Sequence, residues 1–153
     1  MKRIFLISVL ILIGFVLFFL NVNYQSNEYD FVTVESPSGD ELNFKKAVTR
    51  DQIVKGLSHV EEMSGYDGML FVLENPQRVS FWMNDMLFPL DIAYLDENKV
   101  VREIHSNLNP CEQGDVSFCQ KYPSQNSDIK YAIELPAGSF DNYQIKINSI
   151  IKW

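Results

Sequence analysis

The chain has 153 residues, with 13 Lys and Arg against 20 Asp and Glu, and a formal net charge of −7. That length suits one domain, or one domain with an appendage. Without the first 23 residues, 11 basic and 20 acidic side chains remain, a charge of about −9 with no basic cluster. This balance argues against nucleic acid or an anionic membrane surface as a partner.

The appendage is an apolar run from Ile4 to Leu20, preceded by Lys2 and Arg3. At about 1.5 Å per residue the run reaches roughly 25 Å, and extension through Val22 gives a comfortable bilayer span. A cleaved signal peptide is the alternative, but its apolar core should be only about 7–15 residues and end at a small-x-small site. No such site lies near the end of this run.

We therefore predict three segments. Residues 1–22 form a signal anchor that contacts the membrane through residues 4–22, residues 23–30 form a polar tether, and residues 31–153 form a domain outside the cytoplasm. If the signal is cleaved instead, the same domain is secreted or periplasmic.

The pattern after the tether is mainly β. Short β-rich or alternating runs predict about eight strands, at 31–35, 41–48, 69–73, 79–83, 90–95, 100–104, 129–135 and 145–153. One helix is predicted from Thr49 to Met63, with Thr49 and Gln52 as a capping box and Gly56 allowing close approach to a strand. The expected architecture is a single antiparallel β-sandwich or partly closed barrel with one short helix, preceded by the N-terminal transmembrane helix.

The two cysteines, Cys111 and Cys119, lie in a polar segment between predicted strands. In an oxidising compartment, such a pair predicts one disulfide. A metal site would need further ligands, and His105 is the only one nearby. The sequence thus predicts neither a metal nor a cofactor.

Asp91 is a carboxylate in a strand that is apolar on both sides. It is either an acid/base group or ligand anchor in a pocket, or a structural carboxylate that accepts turn amides or pairs with Arg78 or Arg102. Glu134 shares a strand face with Lys130, and the default prediction is that both belong to a solvated polar face.

Trp82 projects from a polar strand face together with Arg78 and Asn84. An indole among polar groups suits a stacking platform for a ligand, unless the cysteine segment covers this face and makes Trp82 part of the core. His105 ends a strand and could meet Asp91 or Glu134 in space.

Taken together, these motifs resemble the family known as domain of unknown function 192. The residues that carry the resemblance are Gly56-Leu57, Gly68–Phe71, Phe81–Asn84, Pro89–Asp91, Asp96, Val100-Val101, Cys111, Cys119, Tyr122, Tyr131 and Glu134–Gly138. The resemblance implies a single, mainly β domain of sandwich type, often exported and often behind an apolar N-terminal segment. It implies no established activity.

The chain departs from that family pattern in three places. Gln52-Ile53 stands where Glu-Arg is usual, Ser58 where Met is usual, and Asn148-Ser149 where Gly-Asp is usual. If the family's Arg at the place of Ile53 neutralises a site carboxylate, that pairing is absent in this chain and catalysis is disfavoured.

The sequence therefore favours a binding or accessory module for an envelope component, a small ligand or a protein. The alternative is a carbohydrate-active hydrolase or lyase that uses Asp91 and Glu134 as paired carboxylates. A purely structural accessory domain is a third reading.

Overall fold

The computed structural model describes Phe15, residues 28–111 and residues 116–153. Apart from Phe15, the predicted signal anchor lies outside these residues, as does most of the tether. Within the described part of the chain, no helix is both long enough and apolar enough to cross a membrane. The elements are β1 (Asp30–Glu35), β2 (Glu41–Ala47), α1 (Arg50–Lys55), β3 (Gly68–Gln77), β4 (Ser80–Trp82), β5 (Leu90–Leu95), β6 (Val101–Leu108), a 3₁₀ turn (Val116–Phe118), β7 (Lys121–Pro123), β8 (Ile129–Pro136) and α2 (Ser139–Asn142).

Six strands form one sheet in the order β1-β2-β3-β8-β5-β6, and β4 pairs with β7 in a small second sheet. The β2–β3 pair is parallel because α1 carries the chain across between them, whereas the other strand pairs are antiparallel. The mainly β class is confirmed. The expectation that all strands pair antiparallel is wrong, because the β2–β3 pair is parallel. The sheet is not a closed barrel, since its edge strands β1 and β6 do not pair with each other among the described residues.

The centre of the six-stranded sheet is buried on both faces. The front face carries Met69, Phe71, Ile92 and Tyr94, which pack beneath α1 and β4. The back face packs against the C-terminal segment through these core residues: Leu70, Ala93, Leu95, Ile133, Phe140, Ile145 and Ile151. All six residues of β5 are buried as a result.

The helix α1 is shorter than predicted. The capping box is confirmed, since the Gln52 amide donates to Thr49 Oγ1 at 3.2 Å and the Thr49 amide donates to Gln52 Oε1 at 3.0 Å. The helix ends at Lys55 because Gly56 adopts φ +49°, a value that breaks the helix. A Cβ on Gly56 would lie 3.6 Å from the Phe71 ring. The close approach to a strand is therefore real, although Gly56 is the cap of the helix and not an interior residue.

The predicted last strand at 145–153 is not a regular strand. Gln144 and Asn148 have positive φ angles of 54° and 70°, which turn the chain twice. The isolated bridges Val100↔Ile150 and Glu35↔Lys152 join this segment to the sheet, together with backbone hydrogen bonds from Val101 to Ser149 and from Asn148 to Val101. Ile145 and Ile151 still reach the back-face core.

Candidate functional site

An open pocket of about 690 Å³ lies on the front face of the sheet, between α1, β3 and β4. Its walls are largely apolar, with Leu57 from the turn after α1, Phe71 from β3 and Phe81 from β4. The rings of Phe71 and Phe81 meet edge to face with centroids 4.9 Å apart, which fixes the inner wall. A concave, mostly apolar site of this size suits a small organic molecule.

Glu134 brings a carboxyl group to this apolar pocket. Its position on β8 is in register with Met69 of β3 and Ile92 of β5, so its side chain points to the front face. The residue is only 4% exposed, and Oε2 is buried without a hydrogen-bond partner among the described residues. Burial raises the pKa of Glu134 to about 8. At neutral pH the group is therefore mostly a neutral acid that can donate a hydrogen bond into the pocket.

The sequence prediction of a solvated polar face at Glu134 is wrong. The helix α1 and the small β4–β7 sheet cover the front face above Glu134. Both faces of β8 are therefore buried, whereas the alternation along this strand predicts one buried face and one solvent-exposed face.

Trp82 lies at the mouth of the pocket and is 41% exposed. The cysteine segment does not bury it, so the indole stays available for stacking. Lys121, its partner in the β4–β7 pairing, places Nζ 5.7 Å from the centre of the Trp82 ring.

The predicted disulfide between Cys111 and Cys119 is confirmed, with Cα atoms 5.4 Å apart. The Cys111 amide donates to the Met83 carbonyl at 3.0 Å, directly after β4, and Cys119 lies two residues before Lys121. The disulfide therefore ties the end of β4 to the start of β7, the two strands that carry the mouth of the pocket.

Four cationic side chains line the pocket: Arg50, Lys55, Arg78 and Lys121. The only exposed acid among the described lining residues is Glu74. None of the four cations forms an ion pair with a carboxylate among the residues that the structure describes. Arg78 is held instead by a hydrogen bond from Nη1 to the Ser124 carbonyl at 3.1 Å.

Asp91 does not belong to this pocket. It is 1% exposed on the back face, where Oδ1 accepts from the Asn107 amide at 2.8 Å and Oδ2 accepts from the Phe140 amide at 3.1 Å. It therefore has the structural role of accepting backbone amides, and it fastens the end of β6 and the start of α2 to β5. Arg102 pairs with Asp96 instead, through two hydrogen bonds.

The paired-carboxylate interpretation fails for the same reason. In the β5–β8 register Asp91 pairs with Leu135 and Ile92 pairs with Glu134, so the two acids point to opposite faces of the sheet. They cannot flank one glycosidic bond, as two catalytic carboxylates must.

Asn84 and His105 are outside the described pocket lining. Asn84 donates from Nδ2 to Asp85 Oδ2 at 2.7 Å, and its carbonyl accepts from Ser58 Oγ at 3.2 Å. The His105 ring lies between the rings of Tyr94 and Tyr122 in tilted contacts. Its Nε2 is buried and has no hydrogen-bond partner among the described residues. Of the six residues singled out from the sequence, the structure brings Trp82, Arg78 and Glu134 together.

Sequence reasoning did not select Arg50, Lys55 and Lys121. They come from the two ends of α1 and from β7, and no short motif connects them. No signal in the sequence places β7 beside β4, because β7 lies in the segment that was predicted to be a polar loop. Among the described residues no three His, Cys, Asp or Glu side chains come together as a metal site.

A family model, DUF192, described as an uncharacterized ACR, matches residues 32–153. A crystal structure of a protein of unknown function from Novosphingobium aromaticivorans DSM 12444 is similar, with a TM-score of 0.68 and 25% identity over 86% of this chain and 89% of that chain. A "putative transcription regulator" from Sinorhizobium meliloti 1021 has a TM-score of 0.68 and 24% identity, over 82% of this chain and 93% of that chain. The second likeness shows the fold alone. None of the curated proteins compared matches this chain.

Proposed function

We propose that this chain, which belongs to the DUF192 family, binds a small organic molecule in the pocket between Trp82 and Glu134 and does not catalyse a reaction on it. The observation that carries the proposal is the buried Oε2 of Glu134, which has no hydrogen-bond partner among the described residues, beside the apolar inner wall of the pocket. An unpartnered buried polar atom typically costs about 1–3 kcal/mol. A ligand that accepts a hydrogen bond from this acid removes that cost.

Trp82 supports the same assignment from the other end of the pocket. An indole that stays 41% exposed at the mouth offers a flat apolar surface for a ring or a sugar. The pocket thus combines a stacking surface outside with a single hydrogen-bond donor inside, and a ligand that spans both is held in one orientation.

The position of Asp91 argues against glycoside cleavage by the pair Asp91 and Glu134 and supports binding. Asp91, which was the partner proposed for Glu134, is fixed by two backbone amides on the opposite face. A neutral acid alone can orient a ligand, whereas glycoside cleavage uses two carboxyl groups on either side of the bond.

Binding can be tested by calorimetry on the full chain in a non-ionic detergent, with a titration into detergent alone as the blank. The probe is 4′-acetylbiphenyl-4-carboxamide, an aromatic molecule whose acetyl carbonyl can accept from Glu134 while its carboxamide lies at the mouth. Ser80 lines the pocket from exposed β4, and Ser80→Phe should fill the mouth and weaken binding about tenfold or more. Ser127→Phe, at an exposed position outside the described lining, is the matched control. Equal affinity of wild type and Ser80→Phe, or no saturable binding, contradicts the proposed pocket.

We also propose that the domain works outside the cytoplasm, anchored through residues 4–22. The apolar run behind Lys2 and Arg3 and the disulfide support this placement, since disulfides persist in oxidising compartments. A periplasmic phosphatase fused after Trp153 should be active in intact cells. An inactive fusion that is present at normal abundance would contradict the placement.

A further inference from the structure

The charges around the pocket are opposite in sign to those of the rest of the domain. Residues 24–153 carry 11 basic and 20 acidic side chains, yet four of those 11 basic residues line this one pocket. With Glu74 as the one charged acid of the described lining and Glu134 neutral, the pocket carries about +3. In a cleft with apolar walls such a charge is focused on whatever enters.

These cations are available to a ligand. Arg50, Lys55 and Lys121 are exposed and have no carboxylate within ion-pair distance among the described residues. Three other basic residues, Lys46, Arg102 and Lys152, each pair with an acid. The pocket cations therefore remain uncompensated until an anion arrives.

The position of Lys121 indicates where a negative group would lie. Its Nζ is 5.7 Å from the centre of the Trp82 ring, so a ring that stacks on Trp82 brings its own substituents within reach of this ammonium group. Lys55, at the end of α1, lines the same pocket. An acidic substituent at the mouth can thus approach cations from two elements.

We infer that the ligand is an organic anion, with a flat apolar body against Trp82 and Phe81 and its acidic group at the mouth beside Lys121 and Lys55. This inference rests on the proposed function and adds the charge class of the ligand. A cationic ligand is disfavoured by the same four side chains, and an apolar neutral ligand would leave them unused.

The test compares 4′-acetylbiphenyl-4-carboxylate with 4′-acetylbiphenyl-4-carboxamide, which are similar in shape and differ in charge, by calorimetry on the full chain in non-ionic detergent. Wild-type protein should bind the carboxylate at least fivefold more tightly than the carboxamide. Lys121→Gln should weaken the carboxylate about three- to fivefold, the loss typical of one exposed charge pair, and reduce the preference for the carboxylate over the carboxamide. Lys55→Gln combined with Lys121→Gln should weaken the carboxylate further.

Lys146→Gln is the matched control, since Lys146 is exposed and outside the described lining. It makes the same change in net charge and should leave both affinities unchanged. The preference for the carboxylate should also shrink as NaCl rises from 0.02 to about 0.5 M, because salt screens exposed charges.

The outcomes separate the two proposals. If the carboxamide binds and Ser80→Phe weakens it, but the carboxylate binds no more tightly, the anion inference is overturned and the pocket stands. The anion inference also fails if Lys146→Gln weakens the carboxylate as much as Lys121→Gln does. If neither compound binds saturably, or if Ser80→Phe has no effect on either, the proposed function itself fails.

Discussion

Gly68 of β3 lies directly against the backbone of Glu134 in β8. A Cβ at position 68 would overlap the carbonyl oxygen of Glu134 and would lie 2.7 Å from Cδ2 of Leu135. The absence of a side chain at Gly68 is therefore what lets the two central strands meet at this point. It also sets the height at which the Glu134 side chain enters the pocket on the front face.

We expect Gly68→Ala to lower the free energy of unfolding by about 3 kcal/mol, at the upper end of overpacking costs, because backbone must move. Chemical denaturation of the full chain measures this. Gly65→Ala is the comparison, since position 65 has open space and only its φ of +80° opposes the change, which predicts about 1 kcal/mol. Equal losses in the two variants would contradict the steric role of Gly68.

The buried acid predicts an unusual dependence of stability on pH. Because folding raises the pKa of Glu134 from 4.5 to about 8, its contribution to stability is fully present below about pH 4.5 and is lost as the pH rises to about 8. Between pH 5.5 and 8 the loss should be about 3 kcal/mol. Tyr94 of β5 interacts electrostatically with Glu134, and it stays neutral in this range because burial raises its pKa.

Glu134→Gln tests this assignment, since the amide is similar in shape and does not titrate. Denaturant unfolding at pH 5.5 and pH 8 should show a much smaller difference for the variant than for the wild type. A wild-type stability that rises over this range, or a variant with the same slope, would contradict a neutral Glu134.

Asp91→Asn should destabilise the fold by about 2 kcal/mol without changing ligand binding per folded molecule. Both carboxylate oxygens accept backbone amides, and an amide side chain turns one of those acceptors into a donor that faces another donor. Asp128→Asn, at an exposed position, is the matched control and should have little effect. Unchanged stability in Asp91→Asn would remove the structural role of this residue.

Loss of the disulfide should act on the pocket mouth more than on the core. Replacement of both Cys111 and Cys119 by Ser should lower stability by about 2.5 kcal/mol, the value expected for so short a loop. Hydrogen exchange should increase at the amides of β4 and β7 and stay unchanged in β5 and β8. Uniform loosening of all four strands would contradict this local role.

The sequence predicts the positions of individual strands better than it predicts which strands pair with each other. Alternation in Leu90–Leu95 and Ile129–Leu135 located β5 and β8 within one residue. The same alternation could not show that β8 inserts between β3 and β5, because strand order depends on contacts between residues far apart in the chain. The parallel crossover and the short strand β7 were missed for that reason.

The candidate site shows the same limit. In the sequence, Trp82 is an aromatic residue on a polar strand face, and Asp91 is a carboxylate in an apolar strand. The structure places Trp82 in the pocket lining, whereas Asp91 accepts backbone amides on the opposite face of the sheet. The sequence predicts a solvent-exposed face at Glu134 because Lys130 lies on the same face of the strand. In the structure this face is buried, because α1 and β4 pack above it. Polarity along one strand cannot show what covers it.

The strand order also has a consequence for how the chain can fold during synthesis. The strands β1, β2 and β3 are made first, but one edge of β3 pairs with β8, whose residues are about 60 positions later, as in Leu70 with Ile133. Until β8 leaves the ribosome, β3 and β5 each expose an unpaired apolar edge. The nascent chain therefore needs protection from aggregation until nearly its last residues have been made, and any truncation before β8 removes the centre of the sheet.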